Sequence, residues 1–153
     1  MTALVHNDAG RSSPGPRARR SLAMELAAVA VGGAIGACLR FAVGLAFGSQ
    51  NGVFGVVLTT GTANISGSLL LGVLLGYLQS TRAHPLLRPF LAVGVFGSYT
   101  TWSTLVMENR LLAQLGSESV AVVHLLASLA LGLVAFAAGF ALGQRNAPVA
   151  EEL

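Results

Sequence analysis

"AVGVFGSYTTWSTLVMENR", Ala92 to Arg110, is the stretch that decides how this chain is read. It opens as an apolar helix would, then places Ser98, Thr100, Thr101, Ser103 and Thr104 beside Tyr99 and Trp102, with Glu108 following. Gly94, Gly97 and the run of Ser and β-branched Thr weaken helix propensity. A break here frees backbone N–H and carbonyl groups that hydrocarbon cannot satisfy, so it is tolerated only inside protein or beside water or an ion. The other reading is an unbroken helix whose hydroxyls bond back to their own turn.

Hydrocarbon is the relevant solvent because of what surrounds this stretch. The 153 residues are 54% hydrophobic and only 10% charged, far from the balance of a soluble domain. A helix needs about 20 mostly apolar residues to cross a bilayer. Four stretches meet that length, Met24–Phe47, Val53–Leu78, Leu86–Leu115 and Ser119–Leu142. None has the polar face of a soluble bundle helix. The expected fold is an all-α integral membrane protein with four transmembrane helices, the third broken mid-membrane. Residues 1–22 read as a disordered basic tail, 23–143 as the membrane domain and 144–153 as a short tail. The first span is too long, and too closely followed by similar runs, to be a cleaved signal.

All nine basic residues are arginine. With four crossings, Arg11, Arg17, Arg19, Arg20, Arg82, Arg88 and Arg145 fall on one side, and Arg110, offset by Glu118, on the other. Cytoplasmic loops retain arginine, so both termini are expected in the cytoplasm. A net charge of +3 makes no extended basic face, which argues against a nucleic-acid partner. Cys38 is the only cysteine and excludes an internal disulfide.

Polar residues inside the spans are the candidate functional groups. Arg40, near the end of the first span, is either a snorkelling anchor or a vestibule charge that attracts anions. Gly32, Gly33, Gly36 and Ala37 beside it suit close helix packing. Asn64 lies mid-span; its amide is costly in hydrocarbon unless it pairs with a neighbour or lines a wet path. Glu108 is a proton-binding carboxylate or, as its position favours, an interfacial one paired with Arg110 or Arg40. His124 and Ser128 share a helix face. There is no second His or Cys at metal-ligand spacing, and no enzyme constellation, so no catalytic residue is expected.

These residues in order resemble the Fluc (CrcB-type) fluoride channels, over nearly all of Met24–Gly143. The matching positions are Gly32, Gly33, Gly36, Ala37, Arg40 and Phe41 in span one, and Asn64, Gly67, Ser68 and Gly72 in span two. In span three "GSYTTWSTL" is similar to the family's Gly-rich turn and Thr-Thr-Phe-Ser-Thr-Phe, and Glu108 falls where that family keeps a carboxylate. The resemblance implies an antiparallel dual-topology dimer in the bacterial cell membrane, with two pores, passive fluoride export and a central structural sodium ion. The sodium ligands it implies are the backbone carbonyls of Gly97 and Thr100. The implied pore residues are Asn64, the hydroxyls Ser103 and Thr104, His124, Ser128, and Trp102 and Leu105 in place of two phenylalanines.

Fluoride is small and strongly hydrated, so a pore must offer close hydrogen-bond donors in place of water. Leu105 departs from the family's aromatic pattern, and the one-sided arginines disfavour insertion in both orientations. Both departures open the alternative of a heterodimer with a related, oppositely oriented subunit. The rival functions are a small proton-coupled multidrug exporter, which needs a well-placed carboxylate from Glu25 or Glu108, and a non-conducting partner subunit.

Overall fold

The computed structural model describes residues 16–47, 52–81, 83–116 and 118–146. Arg11, Arg82 and most of the N-terminal and C-terminal tails therefore lie outside the described residues. The chain is all-helical there, and four helical segments are long and apolar enough to cross a membrane: Arg20–Phe47, Val57–Gln79, Pro89–Gln114 and Glu118–Arg145. Helix α1 spans Pro16–Phe47 and α2 spans Gly52–Gln79. The third segment starts as a π-helix, Pro89–Phe96, and continues through one turn, α3, Gly97–Tyr99. Helices α4, Ser103–Gln114, and α5, Glu118–Arg145, complete the chain.

Helix α1 begins at Pro16, inside the stretch read as the basic tail. Proline suits this first position because its missing N–H would be unpaired there anyway. Between α4 and α5 the chain reverses at Gly116, whose φ of +76° is the left-handed conformation glycine adopts without a steric penalty.

Two helix pairs are in backbone contact. On α2, a side chain at Gly72 or Gly76 would strike the carbonyl of Phe136 or Phe140 on α5. The relation is reciprocal: Gly139 and Gly143 lie against the carbonyls of Leu69 and Val73. Both helices thus carry glycines one turn apart that mesh, a packing suited to lipid, where no hydrophobic force drives helices together. The same device joins α1 to the π-helix. Gly32 sits on the Phe90 carbonyl and Gly36 on that of Val95, while Gly94 returns the contact to Gly32. The span-one glycines are packing residues.

Burial is inverted relative to a water-soluble protein. Leu133 and Met107 are each 71% exposed, whereas Thr60, Thr101 and Glu108 are among the few buried side chains. So much apolar surface must be covered by lipid or by another chain.

Candidate functional site

The helical run of the third segment stops at Tyr99, and Thr100 is extended, with ψ of 156°. Asn64 of α2 lies opposite this interruption. Thr101 N–H donates to Asn64 Oδ1 at 2.7 Å, and Asn64 Nδ2 donates to the Thr101 carbonyl at 2.9 Å. In a continuous α-helix the Thr101 N–H would bond the Gly97 carbonyl, and the Thr101 carbonyl would accept from Leu105. One asparagine side chain replaces both bonds. The Gly97 carbonyl thereby loses its helical donor. Thr100 is anchored from behind, since its N–H and its hydroxyl both donate to the Phe96 carbonyl, at 3.0 and 2.9 Å. Gly67 makes room for it on α2, where any side chain would collide with the Thr100 methyl and the Tyr99 ring.

Hydroxyls cluster on the far side of the interruption. Thr101 Oγ1 accepts from the Thr104 N–H at 3.3 Å, the geometry of a helix N-cap for α4. It lies 3.0 Å from the Thr104 hydroxyl and 3.3 Å from that of Ser103. Ser66 gives its only hydroxyl proton to the Thr62 carbonyl at 2.6 Å. The 3.0 Å contact between Ser66 and Tyr99 is therefore donated by the tyrosine.

Two grooves flank this region. One, of about 380 Å³, is walled by Asn64, Thr101, Trp102, Leu105 and Ser128, among others. Trp102 is 59% exposed beside it, whereas Leu105 is 3% exposed and packed into the bundle. The second, of about 550 Å³, runs between α2 and α5 and holds His124 with Thr62, Ser66 and Ser128. Ser128 borders both grooves; Asn64 and His124 do not share one. His124 Nδ1 is buried and has no hydrogen-bond partner among the described residues.

Glu108 is buried, and its Oε1 accepts a short hydrogen bond from the Thr60 hydroxyl of α2. Oε2 is buried without a partner among the described residues. This corrects the expected pairing with Arg110 or Arg40: a carboxylate within reach of a hydroxyl on the neighbouring helix is held inside the bundle instead. Arg40 is half-buried on α1, which makes no contact with α4, so these two charges are not brought together. Gly97 is exposed, as is Ser103, and Thr104 is half-buried.

Thr60, Thr101, Tyr99 and Ser66 were not singled out as site residues from the sequence. Thr60 had a signal: it lies four residues before Asn64, hence one turn away on the same face. Thr101 had none beyond its place in a row of hydroxyls, since only the break reveals it as both cap and clasp.

Comparison with known proteins agrees with this architecture. The family described as "CrcB-like protein, Camphor Resistance (CrcB)" matches residues 27–140. The chain is 42% identical over 120 residues to "Fluoride-specific ion channel FluC 3" of Streptomyces avermitilis, covering 78% of this chain and 58% of that relative. It is 40% identical over 122 residues to "Fluoride-specific ion channel FluC 2" of Bacillus subtilis, covering 80% of this chain and 89% of that relative. With "Fluoride-specific ion channel FluC" of Idiomarina loihiensis it shares 43% identity over 105 residues, covering 69% and 81% respectively. The chain spans less than two thirds of the first of these relatives and most of the other two. A match over three quarters of its length, with four membrane-crossing helical segments, makes this multi-pass membrane protein a member of the CrcB family.

Proposed function

We propose that the chain is a fluoride-selective ion channel that lets fluoride leave the cytoplasm passively, without catalysis. The observation that carries this reading is the Asn64–Thr101 clasp, which holds the third segment open beside a groove lined by an amide and hydroxyls. Its relatives named fluoride-specific channels support the choice of ion. Fluoride must exchange its hydration shell for protein donors. Ser103, Thr104 and Ser128 supply hydroxyls, and Trp102 supplies an N–H and an electropositive ring edge. The N-terminal end of α4 adds a positive dipole end. Arg40 serves as a charge along the approach in this reading, whereas Glu108 is closed off inside the bundle.

We read the interruption at Thr100–Trp102 as lying mid-membrane and facing its counterpart in an antiparallel dimer with two pores, both termini of this chain being cytoplasmic. A sodium ion at the dimer centre fits the donor set. Hard cations take oxygen ligands, and the Gly97 carbonyl is left without its helical donor because Asn64 takes the Thr101 N–H. Gly97 and Thr100 would hold the ion through their carbonyls, and it would supply positive charge that offsets those dipoles and nearby anions. Two carbonyls do not complete a cation's shell, and in this reading the second chain adds its own pair.

Leu105 favours a second arrangement. Buried at 3% exposure, it offers a passing anion no aromatic edge, which suits pairing with a related subunit that supplies one. The exporter reading is weaker, because Glu108 is enclosed by the bundle and bonded to Thr60 rather than open to a drug chamber.

The test is efflux from liposomes containing the purified chain, comparing fluoride with chloride, with sodium present and then removed. Fluoride should pass with chloride retained, and activity should fall without sodium. Equal passage of the two halides refutes the reading. Efflux that appears only after a related subunit is added selects the heterodimer.

A further inference from the structure

His124 is the one titratable side chain in the wall of the α2–α5 groove, and the clasp on the other side of Ser128 makes no use of it. Its Nδ1 is buried with no hydrogen-bond partner among the described residues, so it is closed to an occupant of the groove and the ring meets the groove by another edge. The nearest polar wall is made of hydroxyls, Thr62, Ser66 and Ser128. Those of Thr62 and Ser128 are not engaged by any described side chain, while Ser66 gives its proton to the Thr62 carbonyl. Ser128 also borders the groove that holds Asn64. An ion leaving the clasp can therefore move along Ser128 to the imidazole.

We propose that His124 makes fluoride passage proton-linked, its protonation adding a positive charge to the groove wall and tightening the hold on fluoride there. The inference rests on the channel reading above and adds a regulator to the same pathway. Neutral imidazole has one N–H and no net charge; the protonated ring has two N–H groups and a positive charge. An anion beside the ring favours the charged form and burial opposes it. Proton and fluoride then assist each other reciprocally. Tighter binding is not faster passage, because conduction also needs release. Acid should lower the half-saturating fluoride concentration and lower the maximal rate with it.

Few other groups can interfere. On α4, the other helix packed on α5, Glu108 is buried and accepts from Thr60, and Arg110 is exposed. Tyr99 of α3 reaches the groove only through Ser66. Glu118 is exposed at the start of α5. His84, exposed between α2 and the π-helix, is the other imidazole among the described residues and needs a control.

The experiment measures fluoride efflux from phosphatidylethanolamine/phosphatidylglycerol vesicles from about pH 5.5 to 8, the window of imidazole titration. The leak of protein-free vesicles, which carries hydrogen fluoride, is subtracted at each pH. The half-saturating concentration should fall about fivefold or more at the acid end, a modest coupling by the usual scale. His124→Gln should flatten this response and His84→Gln should keep it. A second arm needs no conduction: nitrogen NMR of histidine-labelled protein in the same vesicles should find a larger protonated fraction of His124 in sodium fluoride than in sodium chloride at equal pH. An unchanging half-saturating concentration, a response that survives His124→Gln, or equal protonation in the two salts overturns the proposal. Absence of efflux at every pH would sink the channel reading instead, and the NMR comparison then decides this one alone.

Discussion

Asn64 and Thr101 exchange two hydrogen bonds, amide to backbone in both directions, at 2.7 and 2.9 Å. A single side chain of α2 thereby pairs both backbone groups of Thr101, just past the point where the helical run stops at Tyr99.

Asn64→Ala leaves the Thr101 N–H and carbonyl unpaired, a loss of about 1–3 kcal/mol for each buried group. Fluoride efflux should fall at least tenfold, and thermal unfolding in detergent should come several degrees earlier. Asn64→Asp keeps the acceptor and loses the donor, so it should fall between alanine and the native protein in both measurements. An alanine variant as active and as stable as the native chain would falsify the clasp.

Thr60→Val removes the donor to Glu108 while preserving shape. A buried carboxylate then loses its only protein partner among the described residues, at a cost of about 1–3 kcal/mol or more. Glu108→Gln keeps an acceptor for Thr60 and adds two donors, so it should be the milder change. Chemical unfolding of the two variants side by side checks the order.

Gly139→Val should prevent folding or pairing of α2 with α5, because its side chain would enter the Leu69 carbonyl. Gly61→Ala meets nothing within 4 Å and should be neutral or stabilising, by up to about 1 kcal/mol of helix propensity. The yield of monodisperse protein in detergent, followed by thermal unfolding, separates the two.

Leu105→Phe introduces the aromatic ring that the family resemblance implies, at a position only 3% exposed. Overpacking there should cost about 1–3 kcal/mol. Efflux measured in parallel reads whether the ring reaches the groove: a rise despite the lost stability assigns this position to the ion path.

Much of the architecture was legible in the sequence, because lipid imposes a simple rule on length and polarity. The four spans follow from apolar runs of sufficient length, with ends displaced by only a few residues. Asn64 stood out because an amide in hydrocarbon must have a partner, and the partner is Thr101. Other features had no local signature. The π-helix at Pro89–Phe96 sits where Gly32 and Gly36 of α1 press against its backbone, a contact between residues far apart in the chain. The partner of Glu108 was misjudged for a similar reason. Charge attraction pointed to an arginine, but helix packing put Thr60 within reach.

The meshed glycines divide the molecule into parts of unequal stiffness. The α2–α5 pair and the pair formed by α1 and the π-helix are each welded main chain to main chain at their glycines, with no side chain at those points to yield. The third segment, by contrast, is laced to α2 by side-chain hydrogen bonds at Thr60, Asn64 and Ser66. Mutational drift should therefore be lethal along the welds but gradual along the lacing, where permeation can be retuned one stitch at a time while the two plates stay intact.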